Sequence, residues 1–431
     1  MTVYNFLHLT PRYYPYIGGS ENYIQEIGER WQAAGQAVTV YTTDAWDLEH
    51  FWQSGQKRIT LATDSINGLP VRRFPVRRLP LLSPLYYPAT RRLLNILSNT
   101  SLPDKLVQPL LNQLGRTTPF VPGLTRALHA KDTAPFDLVH VTNIPFDSLM
   151  YDAVKYAQQH RAALVITPFV HLGEPANPLV RKYYSMRHQL AYLNQADIVL
   201  TMTALEQDFL ITKGIAPHKI RVVGVGVEPN EITGGDGARF RHEHNISGPL
   251  VLFQGAIAFD KGANHLVQAM QKLWHDYHSE ATLVLAGPPL SRFERFYQML
   301  PASDRARIRY LGFVSPETKR ALFAAADLLV MPSRTDSFGI VYLEAWLNRM
   351  PVIGARAGGV PAVIEENQDG LLVNFGDVDE LAAKIHLLLQ DKVLSQKFGE
   401  AGYQKVWQNY TWEIVFAKIQ AAYIEALEKK Q

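Results

Sequence analysis

Two acids, Asp336 and Glu344, stand eight positions apart in the stretch PSRTDSFGIVYLEA, with Ser337, Phe338 and Gly339 between them. An apolar run, DLLVMPS, ends just before, and the helix-like IVYLEAWLNRM follows. Asp336 therefore falls in a strand-to-helix loop, and Glu344 lies two turns along, on the helix. A carboxylate in that place suits the vicinal hydroxyls of a ribose, which it can accept from in bidentate fashion. The loop acid can meet the hydroxyls of a sugar or a reacting centre. Ser337-Phe338-Gly339 offers backbone amides at a helix start, where the dipole is positive. Two acids at this spacing also arise as a helix cap and a surface residue. A second constellation is FQGAIAFDKGANHLV, in which Gly255 closes a strand and Lys261-Gly262 opens a helix. Amides at such a junction plus one cation make a seat for a diphosphate, although an exposed lysine in a turn would look the same. The spacing is not that of a G-x-x-x-x-G-K-[ST] loop. His171, at the end of VITPFVH, is either a cleft residue or a satisfied structural histidine, and His140 within DLVHVT is open in the same way.

The elements that must carry these residues alternate between strand and helix. VYNFLHL, AVTVYTT, DLVHVT, ALVITPF and DIVLTMT read as buried strands, with a helix between the first two that Ser20 would cap and Gly35 would end. Thr203 and Glu206 have capping-box spacing, and KIRVVGVGV closes this half. Residues 228–248 are polar and without periodicity, the signature of a hinge. The alternation then restarts with PLVLFQG, ATLVLAG, IRYLGFV, DLLVMPS, MPVIGA and GLLVN, and Ser315-Pro316 heads one of the helices. The expectation is an α/β chain of two Rossmann-like halves: residues 1–228, a linker over 229–248, a second domain over 249–410, and a C-terminal helix over 411–431. Such a pair offers a cleft at the carboxyl ends of two sheets.

At 431 residues the chain exceeds what one hydrophobic core usually supports. Its 47% hydrophobic and 19% charged residues are those of an ordinary globular protein, and a net charge of +3 gives no reason to expect nucleic acid. With no cysteine, disulfides, thiolate chemistry and cysteine-ligated metals are excluded. The opening MTVYNFLHLT lacks the charged region and apolar core of a signal peptide, and no run reaches the 18 or so apolar residues of a spanning helix. A cytoplasmic protein is expected, at most touching a membrane from that side. Residues 65–103 hold six arginines, six prolines and no acid, inside an insertion expected over about 65–130. They read either as a partly helical insertion packed on the domain or as a basic, aromatic surface for anionic lipid or an anionic acceptor.

Taken in order, Gly255…Lys261-Gly262, GFVS, MPSRTDSFG…LEA, PVIGARAGGVP and DGLLV resemble the C-terminal half of retaining glycosyltransferases of family 4, which have the GT-B fold. GGSE at 18–21 and VITPFVH look like the other half, so the resemblance covers nearly the whole chain. It implies that Lys261 holds the phosphates of a nucleotide-sugar donor, with Gly255 in the same seat, and that Glu344 binds the ribose. Asp336 takes the first-acid position, usually Glu, near the donor sugar, to which Phe338 and Gly339 would offer amides. Gly19 matches the glycine that closes over phosphate and acceptor, and His171 the histidine that bonds the transferred sugar. Three departures stand out: Ala256 replaces the usual arginine of the phosphate seat, Ala362 replaces the acid of GG-x-x-E, and Val225-Gly226-Val227-Glu228 replaces N-G-V-D.

The reaction implied is transfer of a hexosyl group from a UDP or GDP sugar to a hydroxyl of a sugar, lipid-linked or other acceptor, with retention and no metal requirement. No well-placed carboxylate nucleophile is evident, which favours same-face attack over a covalent double displacement. Rival readings are an NAD-dependent oxidoreductase, which lacks G-x-G-x-x-G, a catalytically impaired sugar-nucleotide-binding protein, and a sugar-nucleotide epimerase of the same fold.

Overall fold

The structure is a computed structural model that describes residues 2–16, 18–53, 57–78, 83–130, 135–175, 177 and 179–430. The chain forms two compact units, one from Met1–Val170, Leu179–Val223 and Phe416–Gln431, the other from His171–Pro178 and Gly224–Val415.

The first unit is built on an eight-stranded sheet: β1 (Asn5–Leu9), β2 (Ala37–Thr43), β3 (Thr63–Ile66), β4 (Leu69–Phe74), β5 (Leu138–Thr142), β6 (Ala163–Thr167), β7 (Ile198–Thr201) and β8 (Ile220–Val222). The spatial order is β3-β4-β2-β1-β5-β6-β7-β8. Neighbours are parallel except the β3–β4 hairpin at the edge. β5 and β6 are buried at every position, as a sheet covered by helices on both faces requires. His8 and His140 lie in that buried layer, where Tyr423 of the final helix reaches both. Its hydroxyl stands 2.7 Å from His140 Nδ1 and 3.1 Å from His8 Nε2, and His140 Nε2 is 2.7 Å from Thr167 Oγ1. His140 is thus a structural residue that ties the C-terminal helix to the sheet.

Three local expectations need correction here. The first helix, Gly19–Ala33, is entered through Gly18, not capped by Ser20. Ser20 Oγ instead bonds Glu21 Oε2, because Glu21 turns inward to an ion pair with Arg12 at 2.9 Å. Thr203 does cap its helix, accepting from the Glu206 amide, but the Glu206 carboxylate reaches the amides of Val170 and Met202. Within the arginine-rich stretch, 69–74 is the β4 strand of the main sheet, and helices Ser83–Ser98 and Asp104–Gly115 follow. Their Leu94, Val107 and Leu111 form a core with Met186. Two of the arginines find acids outside the stretch: Arg73 pairs with Asp64 at 3.1 Å and Arg91 with the fully buried Asp147 at 2.6 Å.

The second unit carries six parallel strands, β9 (Leu250–Gln254), β10 (Thr282–Ala286), β11 (Ile308–Gly312), β12 (Leu328–Met331), β13 (Val352–Ala355) and β14 (Leu371–Val373). Their order is β11-β10-β9-β12-β13-β14, so the chain crosses from one side of β9 to the other between β11 and β12. Loops at the carboxyl ends of β9 and β12 are therefore neighbours, the arrangement in which an open α/β sheet binds ligands. The stretch read as a structureless hinge contains two short helices, Pro229–Ile232 and Gly237–Glu243. Four and seven residues are too few to display a period. Asp236 caps the second, and Arg241 fixes it through Asp327 at 2.6 Å.

Candidate active site

The loop after β9 begins at Gly255, whose φ of 145° is a conformation that strains any residue with a side chain. It ends at Gly262, with φ 80°, where a Cβ would lie 2.3 Å from the carbonyl oxygen of Pro332. Glycine there lets the β9 loop pass directly against the β12 loop. The helix Ala263–His275 then starts with no side-chain cap; the Ala263 amide donates to Ala258 O at 3.2 Å, and among the described residues no acceptor takes up those of Asn264 and His265. Lys261, carried at this junction, donates from Nζ to Asp336 Oδ1.

Asp336 stands in the β12 loop, and two backbone contacts fix that loop. The Gly359 amide donates to Asp336 O at 2.9 Å, and the Gly358 amide donates to Gly173 O at 2.8 Å. The GGVP turn thus holds the Asp336 loop and the 171–175 segment together. Gly358, with φ 61°, could not carry a side chain, because a Cβ would come within 2.0 Å of Asp336 O. This brings His171 into the electrostatic reach of Lys261 and Asp336. Burial, with the Lys261 charge adding, pushes the His171 imidazole down to about 4, against the opposing pull of Asp336 and of the Thr335 backbone. It is neutral at pH 7. Burial alone would raise Asp336, but Lys261, Ser333 and His171 outweigh it and hold the carboxyl below its ordinary value. The cluster is thus an ammonium, a carboxylate and a neutral imidazole.

Glu344 lies on the helix Ile340–Leu347 and accepts a 2.6 Å hydrogen bond from Lys319 Nζ of the helix Pro316–Ala325. Phe338 turns its ring inward, edge-on to Tyr410 at 5.5 Å, and Gly339 enters the helix at φ 92°. Among the described residues, no acceptor takes up the amides of Ser337, Phe338 or Gly339. Lys261, Asp336, His171, Gly255, Phe338, Gly339 and Glu344 all belong to the second unit, and Gly19 to the first.

Sequence reasoning overlooked two cations. Lys319 is one. Arg334 is the other: its Nε donates to Asp260, the residue before Lys261, at 3.0 Å, and its guanidinium lies 4.9 Å from the centre of the Phe375 ring. It stands two positions before Asp336 in the stretch already singled out, so the signal was present. What concealed it was that the usual arginine position, Ala256, is in another loop.

Residues 236–405 match the family of glycosyl transferases group 1, and residues 18–226 match a glycosyl transferase 4-like domain. Between them the two spans take in most of the chain. Similar curated proteins include the sulfoquinovosyl transferase SQD2 of Arabidopsis thaliana, 28% identical over 52% of this chain and 44% of that protein. The D-inositol 3-phosphate glycosyltransferase of Corynebacterium efficiens is 30% identical over 54% of this chain and 58% of its own length. The matched part of this chain thus spans about half the length of these relatives. Among solved structures, sucrose-phosphate synthase of Thermosynechococcus elongatus superposes with a TM-score of 0.71 at 19% identity, covering 99% of this chain and 100% of that one. Anabaena HepE in complex with UDP-glucose gives 0.68 at 19% identity, covering 99% and 100%. The chain belongs to the group 1 glycosyltransferases of family 4 and has the GT-B fold.

Proposed function

We propose that this transferase moves a hexosyl group from a nucleoside-diphosphate sugar to a hydroxyl acceptor with retention of configuration. The observation that carries the reading is the Lys261–Asp336 contact with neutral His171 beside it, set on glycine-shaped loops at the carboxyl ends of β9 and β12. In this reading Lys261 and the amides that open the helix Ala263–His275 hold the diphosphate. Arg334 supplies the second cation that Ala256 does not. Glu344 accepts from the ribose. Asp336, His171 and the free amides around Phe338 orient the sugar. The anomeric carbon–oxygen bond to the diphosphate breaks, the acceptor oxygen bonds to the same face, and the acceptor proton passes to the departing phosphate oxygen. Cationic and backbone donors stabilise the leaving group, and no metal is assigned a part. The UDP-glucose complex of the structurally similar HepE supports a nucleotide sugar as the co-substrate.

The test is a thermal-shift panel of UDP, GDP and ADP sugars, followed by turnover with the one that stabilises. Lys261→Ala should abolish both responses, and release of free nucleotide at the wild-type rate by that variant would overturn the assignment. Conversion of the sugar with no acceptor present would point to an epimerase. The cytoplasmic face of a membrane is the proposed place of work. Arg72, Arg77 and Arg92 are exposed, as are Leu85, Leu93 and Ile96 of the helix Ser83–Ser98, and no helix of the described residues is long and apolar enough to cross a membrane. Sedimentation with anionic but not neutral vesicles at low salt is the expected outcome.

A further inference from the structure

We infer that the first unit carries a binding site for an organic phosphate with an apolar body, formed by Arg77 and Arg78 against a wall of aromatic rings. A cavity of about 230 Å³ lies between the turn that follows β4 and the helices beyond it, walled by Phe51, Tyr86, Tyr87 and Phe120, with both arginines in its lining. A second hollow of about 400 Å³ shares Phe120 and Thr117 with it and adds Arg116 and Arg126.

The arginines set this cavity apart from a packing defect. Arg78 is oriented by a bond from Nε to the carbonyl of His50 at 2.6 Å, while among the described residues its buried Nη2 has no hydrogen-bond partner. A buried donor left without an acceptor is costly, and an anion in the cavity would supply the acceptor. Among the described residues, neither Arg77 nor Arg78 forms an ion pair. Asp44, whose charge Arg78 feels, already accepts from the Val76 amide at 2.9 Å. The Arg77 amide donates to Phe120 O at 2.8 Å, so the cation and the aromatic wall are fixed to each other by backbone. Two adjacent guanidinium groups match a phosphate, which accepts several charge-assisted bonds at once. Four rings beside them suit an alkyl, prenyl or aryl body. Phe120 is 46% exposed, so the apolar side of the cavity reaches the surface and a long body could leave through it.

The site rests on the first unit alone, so its test needs no donor sugar. Calorimetry of the full chain should show decyl phosphate, below its micelle concentration, binding at least tenfold more tightly than decyl maltoside and than inorganic phosphate. Arg77→Gln combined with Arg78→Gln should weaken decyl phosphate at least tenfold and leave UDP binding unchanged, and Lys105→Gln, at an exposed position of the same unit, should change neither. If the double variant does not fold, Arg77→Glu, at an exposed position, should give the same loss by repulsion. Equal binding of inorganic phosphate would show a free-anion site, and equal binding of decyl maltoside a merely apolar hollow. Either result, or undiminished binding by the arginine variants, overturns the inference.

Discussion

Lys319 donates a 2.6 Å hydrogen bond to Glu344, across two helices that follow different strands of the second sheet. The lysine takes one carboxylate oxygen, so a ribose must share the group with it or displace it. Glu344→Ala should therefore weaken donor binding by roughly 1.5–3 kcal/mol, the value of bonds to a charged acceptor. Lys319→Ala, which frees the same carboxylate, should leave affinity equal or tighter. Calorimetry with the preferred nucleoside diphosphate checks both, and loss on removing Lys319 equal to that on removing Glu344 would show the pair acting only as scaffolding.

Asp336→Asn keeps shape but removes the charge that Lys261 holds. Because its partner in the proposed reaction is the sugar at the reacting centre, turnover should fall about 100-fold or more while KM changes less than tenfold. Wild-type turnover in the variant would remove Asp336 from the chemistry.

His171 supplies a pH test. Its folded value of about 4 lies below the ordinary 6.5, so between these values the unfolded chain binds a proton that the folded one refuses. That proton uptake makes acid unfavourable to the local fold, with the penalty absent above pH 6.5 and complete below pH 4. Turnover should accordingly show no His171 ionisation between pH 6 and 8. A limb near pH 6.5 that disappears in His171→Asn would mean that the imidazole titrates in the working range.

The site was legible because its residues cluster in short loops between strongly apolar strands, and β2 and β9 were readable from composition alone. The β4 strand was not, since Pro70, Arg72 and Arg73 disguise an alternating segment whose Leu69 and Val71 face the core. The partners of Arg73 and Arg91 were equally hidden. Asp147 is 56 positions from Arg91, and a stretch without acids gives no hint of an acid brought in by the fold. The same distance rule concealed the Lys319–Glu344 pair and the seat of Arg334.

Arg91 and Arg92 are adjacent in sequence and should behave as opposites. Arg91 bonds buried Asp147, which His188, Gln189 and Thr118 also contact. Arg91→Ala leaves that carboxylate short of its cation and should cost about 3–5 kcal/mol, the usual effect of breaking a buried pair. Arg92 is exposed, and Arg92→Ala should stay within about 0.5 kcal/mol. Urea unfolding distinguishes them, and equal small effects would mean that the six arginines do form one solvated face.

The last prediction concerns His8 and His140, which flank the Tyr423 hydroxyl inside the first unit. Burial pushes His8 down to about 3, and burial together with the neighbouring His8 pushes His140 well below its usual value. Below pH 6.5 the unfolded chain protonates both and the folded chain neither, so each should subtract up to about 1.4 kcal/mol of stability per pH unit. Glu206 works in the opposite sense. Burial raises it to about 7, so the folded chain holds an extra proton between there and its ordinary value and gains stability as pH falls. The net slope of the wild type mixes these contributions, but the difference between wild type and His140→Gln isolates one histidine. Between pH 6 and 5 the wild type should lose about 1 kcal/mol more than the variant. Tyr423→Phe, which removes the shared hydroxyl and leaves both rings buried, should cost about 1–3 kcal/mol at pH 7 while keeping the wild-type slope. Parallel slopes for wild type and His140→Gln would show that His140 takes up its proton in the folded protein.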